Sequence, residues 1–249
     1  MKMKKVYWRP KVVSRTALLL ICAVSLIGLL MVELFRVVTE QPYQQEKLAA
    51  AKLAAEAFET IWFERLDTGV EIDSSTDPTE SGLLGVPVSS VTSLSGVLES
   101  KQSTINPNFA AVAVQLLKDA GLEQGDVVAV GVSGSFPALN VALYAAIEAL
   151  ELEAIVISSA ASSTWGANVP ELLWIDMERA LERDEIFSTR SVACSIGGTA
   201  DRGLDFPEEG KKAILEAIKR NKLKLIKNKK FEENVSDRCL LYTSPSPRD

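Results

Sequence analysis

The sequence predicts an α/β protein in which one N-terminal transmembrane helix precedes a Rossmann-like open parallel sheet that is truncated at the C-terminus. Three observations carry this. An uncharged apolar run, TALLLICAVSLIGLLMV, fills positions 16–32. From residue 106 onward three short apolar runs, VVAVGV, AIVIS and SVACSI, alternate with stretches of helical character. Strand, helix, strand, helix is the pattern of βαβ units, whose crossovers set parallel strands side by side.

The membrane segment comes first. Leu34, Phe35, Val37 and Val38 extend the apolar run to a span over 16–38, about the 20 residues that cross a hydrocarbon core, with Glu33 and Arg36 at its interface. Inside such a helix every backbone group is paired, which lipid requires. Residues 1–15 carry Lys2, Lys4, Lys5, Arg9, Lys11 and Arg15 and no acid. That bias places the N-terminal tail in the cytoplasm and the rest of the chain outside an inner (cell) membrane. A cleaved signal peptide needs a shorter apolar core and an A-x-A-like site. The following stretch, VELFRVVTEQPYQQEKL, has no such site, so the segment reads as a retained signal-anchor.

Charge is divided unevenly behind the anchor. Of the formal −6, the start contributes roughly +6 and positions 211–238 roughly +6, which leaves about −18 between them. An acidic body without basic patches interleaved with aromatics excludes nucleic acid as a partner. The basic run 211–238 reads as a solvated helix face rather than a polyanion site. Cys22, Cys194 and Cys239 suggest no disulfide. With no histidine anywhere, zinc sites and histidine general bases are disfavoured, and no cofactor is expected.

Positions 239–249, CLLYTSPSPRD, break with the composition before them. They are what a transposon-type sequencing adapter yields when translated in frame. The segment is therefore expected to be foreign, the natural chain to continue differently, and the tail to be left out of fold reasoning. The other reading is a Ser/Pro-rich disordered tail.

Positions 40–66 form a helix with Leu48, Ala51, Ala55, Phe58 and Trp62 spaced three or four apart, an apolar stripe for packing on its own domain or on a partner. Positions 67–105 are a polar connector holding one short strand, LLGVPV, and then many Ser and Thr with a single basic residue, Lys101. The α/β domain takes 106–238. Pro107 opens a helix that Gly121 ends. VVAVGV is continuous enough for burial on both sheet faces. Further helices follow at ALNVALYAAIEALEL, from Glu171 to about Arg183, and from near Pro207.

Ligands of such sheets bind beyond the carboxyl ends of the strands. Loops 131–137, 158–170 and 197–205 lie there, rich in glycine and hydroxyl side chains. In the first, Gly131, Ser133, Gly134 and Ser135 suit an anion or carboxylate cradle at a helix start, or a tight turn. GVSGS is neither a P-loop nor a dinucleotide fingerprint. It approaches the nucleophile elbow, with Ser133 as the weak catalytic candidate, but a serine triad needs a histidine. An unusual pairing of Ser133 with Lys101 is the substitute within this chain. In the second loop Ser158 and Ser159 are ligand candidates, and Trp165 with Asn168 forms either a ligand wall or domain packing. In the third, Gly197, Gly198, Asp201 and Arg202 are candidates. There Arg202 either grips a carboxylate bidentately or pairs with Asp201 on the surface.

The stretch NPNFAAVAVQLLKDAGLEQGDVVAVGVSGSFPALN, with VISSAASSTWGAN and SIGGTADRGLDFPEEG, resembles the poly-gamma-glutamate system protein family over positions 83–210. It departs from the family pattern at AASS, which is more polar, and at GGTADRGLDF, which is poorer in glycine. The resemblance implies a single-anchor bacterial membrane protein that assists poly-γ-glutamate (capsule polymer) synthesis or export, with other membrane proteins of that system as partners. It supplies a pathway and no mechanism. The expectation is an accessory component whose outer domain binds a small anion or polymer end. The alternatives are a serine-dependent hydrolase or transferase of an amide-linked polymer, and a non-catalytic interaction subunit working through the 48–62 stripe.

Overall fold

The structure is a computed structural model and describes residues 14–37 and 39–243. The basic residues at 2–11, Val38 and positions 244–249 lie outside the described residues. The chain divides into two compact units, residues 1–42 and 43–249.

The first unit holds α1 (Arg15–Leu34), 20 residues with a mean hydropathy of 2.6 over its most apolar window and no buried residue. Ser14 caps it, its Oγ accepting the Ala17 N–H at 3.2 Å. By length and composition α1 suffices to cross a membrane. Residues 35–37, counted toward the span from sequence, lie beyond its last turn.

The second unit is built on four strands, β1 (Val127–Ser133), β2 (Glu153–Ser159), β5 (Ser191–Ser195) and β6 (Lys224–Ile226). All pair in parallel, in the order β1-β2-β5-β6. A two-residue hairpin, β3 (Asn168–Val169) with β4 (Leu172–Leu173), stands apart. The crossovers are α5 (Pro137–Ala149), α6 (Trp174–Arg183) and α7 (Glu208–Arg220). Because β3 and β4 take up the start of the segment expected to be helical from Glu171, α6 begins only at Trp174. Its first turn is closed by the Asp176 carboxylate, which accepts the Leu173 N–H at 2.9 Å. α7 carries Glu208 and Glu209 in its first turn and Lys219 and Arg220 in its last, both signs matching the helix dipole.

The strand order never reverses. With crossovers of one hand, all three connecting helices then fall on one face. Val130, Val156 and Cys194 point into the core on that side. Two further helices, α2 (Gln44–Asp67) and α4 (Phe109–Asp119), pack on α5 and on each other. The opposite face carries Ile157, Ala193 and Ile226 and meets Leu241 and Tyr242 of α8 (Phe231–Thr243). That cover does not extend over all of β1, an edge strand whose Val127 is 59% exposed, with Ala129 and Gly131 exposed as well. The expected two-sided burial of VVAVGV therefore gives way to burial on one face.

Two more expectations change. The buried stripe of α2 is Ala50, Ala54, Ala57, Ile61 and Arg65, rotated from the predicted one; Leu48 is exposed and Phe58 and Trp62 are half-buried. The reason is size: alanines let α2 lie close against α4 and α5, as a leucine face would not. The basic run 211–238 is not one helix face; it divides into most of α7, β6 and the first part of α8. Cys239 through Thr243 continue α8, so the residues that resemble adapter sequence are helical as far as Thr243.

Inside the core lies a polar hub. Glu178 is 1% exposed, and its Oε1 accepts from Tyr144 Oη, from Ser191 Oγ at 2.7 Å, from Trp174 Nε1 at 3.0 Å and from Ser158 Oγ at 3.4 Å. Its Oε2 has no hydrogen-bond partner among the described residues. Burial raises the Glu178 pKa, against the lowering effect of Tyr144, Ser191, Arg190 and Trp174. A carboxyl shifted upward keeps a proton that the unfolded chain releases, so its share of stability falls as pH climbs above the ordinary glutamate value, 4.5. Glu178→Gln stays neutral and is expected to abolish that decline. Urea unfolding at about pH 5 and about pH 8 should show the variant gaining on the wild type as pH rises; equal pH slopes would contradict a protonated Glu178.

Candidate functional site

The carboxyl ends of β1, β2 and β5 gather two groups of polar residues. The first lies between β1 and β2. β1 runs on to Ser133, so Gly131 and Ser133 are strand residues paired with Ile157 and Ser159, and the turn begins only at Gly134. The Gly134 N–H donates to the Ser159 carbonyl at 3.3 Å, and the Ser135 N–H to Ser133 Oγ at 3.3 Å. Two of the backbone donors beside the expected anion cradle, those of Gly134 and Ser135, are thus engaged within the protein. The Ser133 carbonyl accepts Asn140 Nδ2 at 2.8 Å, and that of Gly134 accepts the Ala167 N–H at 2.7 Å. These bonds set the turn that feeds α5.

Lys101 is drawn in from α3 (Leu98–Thr104) and is 1% exposed. It does not reach Ser133. Its Nζ donates to the Ser135 carbonyl and to Ser163 Oγ at 2.9 Å, and lies 4.6 Å from the centre of the Phe136 ring. Burial lowers its pKa to about 8. Ser163 is half-buried, and its N–H donates to Ser135 Oγ at 3.1 Å.

The connector is stitched along the same loop. Asn168 is wholly buried; its Oδ1 accepts the Val86 N–H at 2.9 Å while Nδ2 donates to the Val86 carbonyl at 2.7 Å and to Thr92 Oγ1 at 2.9 Å. Trp165, in a left-handed conformation with φ +58°, donates its N–H to Val86 O at 3.0 Å. Of the two readings for this pair, domain packing is the one the geometry shows for Asn168: every amide contact holds the connector. Ser158 also leaves the edge, since it is fully buried and bonds to Glu178 and Ser191 in the hub.

The second group lies between β2 and β5. A cavity of about 410 Å³ opens there, lined by Ser159, Gly197, Gly198, Ala200, Asp201, Phe231, Val235 and Arg238. Gly197 has φ +84°, and a Cβ on it would stand 2.2 Å from Ser159 Oγ, so the loop closes on β2 only with glycine. Asp201 does not pair with Arg202. Its Oδ1 accepts from Ser195 Oγ at 2.6 Å, and its Oδ2 from Arg238 Nη2 at 2.7 Å. The same Nη2 donates to Ser195 Oγ at 2.6 Å; among the described residues Nε and Nη1 of Arg238 make no hydrogen bond. Arg202 is half-buried on the loop, its backbone bridged to Gly197. Phe231, Val235 and Arg238 all precede Cys239, so this cavity owes none of its lining to the adapter-like residues. Among the described residues no cluster of three or more acidic or cysteine side chains is placed to hold a metal ion.

Of the predicted residues, Ser159, Gly197, Gly198 and Asp201 come together around one cavity; Gly131 and Ser133 lie in β1, and Gly134 and Ser135 in the turn after it; Ser158 and Asn168 are structural. Arg238 was not foreseen, because it sits in a basic run with no local signal. Lys101 was visible as the one cation in a Ser/Thr-rich stretch, but not its partner Ser163. Set against models of protein families, curated proteins and solved structures, the chain matches none.

Asn168→Ala would leave the Val86 backbone and the Thr92 hydroxyl without their partner and is expected to cost roughly 2–4 kcal/mol, while Arg202→Ala should stay within about 0.5 kcal/mol. Denaturant unfolding of both variants checks this, and equal losses would remove the clamp from the description.

Proposed function

We propose that the chain is a single-span membrane protein, N-terminus cytoplasmic, whose outer α/β domain binds a small carboxylate or a polymer end at the β2/β5 cavity as an accessory of poly-γ-glutamate synthesis or export. The observation that carries the binding reading is the cavity beyond the strand ends with the half-committed guanidinium of Arg238 in its wall. It lies beyond the carboxyl ends of β2 and β5, the edge of a parallel sheet at which ligands bind, although this sheet has no switch point there. With both Nη2 hydrogens held by Ser195 and Asp201, Nε and Nη1 lie on different edges of the guanidinium and can each donate one hydrogen bond to an anionic ligand. In the cavity lining Arg238 and Asp201 balance, whereas the domain as a whole is strongly acidic. A long polyanion is therefore repelled, and a short ligand or one chain terminus is favoured. The anchor reading rests on α1 and on the basic residues before it.

Calorimetric titration of the full chain in detergent with glutamate and with short γ-linked glutamate oligomers tests the binding. Saturable binding is expected, weakened roughly tenfold in Arg238→Ala and further by added salt; heats that never saturate would end the reading. Protease added to intact cells should digest the region after Glu40, and loss of the gene should change polymer yield or length. Protection of that region, or unchanged polymer, would overturn the topology or the pathway respectively.

A further inference from the structure

Lys101 is the only buried lysine among the described residues, and it forms no ion pair there. A cation taken out of water without a carboxylate is costly unless it can shed its proton. What faces it is a carbonyl, one hydroxyl and an aromatic ring, and no charged side chain shifts it. The hydroxyl belongs to Ser163, which is half-buried. The Leu94 to Gly96 strap closes one side: the Thr164 N–H donates to Leu94 O at 2.9 Å and the Gly96 N–H to Thr164 Oγ1 at 2.6 Å. A Cβ at Gly96 would lie 2.8 Å from Lys101 Cε and 3.2 Å from Ser163 Oγ. The strap thus holds the amine against the hydroxyl. Next to Phe136, Pro137 opens α5, whose first turn carries no side-chain cap, and a helix N-terminus favours developing negative charge.

We propose that Ser163 and Lys101 form a nucleophile–base pair that opens amide or ester carbonyls, with Ser163 the residue acylated. Neutral Lys101 Nζ takes the hydroxyl proton as Ser163 Oγ bonds to the carbonyl carbon. The C–N or C–O bond then breaks, and Nζ returns the proton to the departing amine or alcohol. Water attacks the resulting ester with Nζ again accepting its proton; the bond from the acyl carbon to Ser163 Oγ breaks, Nζ passes the proton to Oγ, and the acid leaves with the hydroxyl and the neutral amine restored. The pair uses none of Ser159, Asp201 or Arg238, so it stands or falls apart from the carboxylate cavity. The base has to be neutral, and its amine titrates at about 8, so reaction increases as pH rises toward that value and levels off above it.

The test is mass-spectrometric mapping of the full chain after exposure to a fluorophosphonate, with thermal melts to show each protein folded. One adduct is expected, on Ser163, forming about tenfold faster per pH unit below the plateau. It should be absent in Ser163→Ala and slowed at least a hundredfold in Lys101→Met and in Lys101→Arg, the latter keeping a cation but no base. Failure of wild-type Ser163 to label would overturn the proposal, as would labelling that ignores pH. Equal rates in a folded lysine variant would do the same; if neither variant folds, the wild-type pH profile decides.

Discussion

Three successive crossovers between parallel strands move in one direction, and most of the domain follows from that. With no reversal there is no switch point, and no crevice between helices on opposite faces. α5, α6 and α7 share one face, α2 and α4 add a further layer over α5, and the second face is left to a single helix that arrives last. The cavity consequently forms between the β5 loop and α8 rather than between two crossovers. β1, at the start of the series, keeps a free edge.

The connector answers a different need. The loop after β2 carries two backbone turns and a run of hydroxyls that a sheet cannot satisfy by itself. Val86, Thr92, Leu94 and Gly96 supply the missing partners from outside the sheet. Gly210 fits the same scheme: a Cβ there would stand 1.9 Å from the Ser90 carbonyl, so the connector reaches α7 only because that helix has no side chain at the contact. A stretch that reads as a polar linker is in this way part of the domain body.

Elements with a strong local period were legible. The strands β1, β2 and β5, the Gly121 stop of α4, whose φ is +83°, and the α7 start after Pro207 follow directly from pattern and capping chemistry. What failed depends on distant partners. Alanine and leucine both count as apolar, so the periodicity of α2 could not tell the close-packed alanine face from its neighbour. β6 is three residues long and two of them are exposed, which gives no alternation to detect. At the site, residue type pointed to the right loops but not to the role of each member. Asn168 and Ser158 look like ligands for the same reason that they make good buried hydrogen-bonding groups. Arg238 acquires meaning only from Asp201, 37 residues earlier.

Lys101 and Ser163 stand 62 residues apart in the chain, and Val86 and Asn168 stand 82 apart. Closing such loops is entropically costly until the sheet and α5 have already drawn the segments together. The amine and the hydroxyl therefore meet only in the finished domain. A nascent, clipped or partly melted chain holds both groups but keeps them apart, and whatever reactivity they have is withheld until folding is complete.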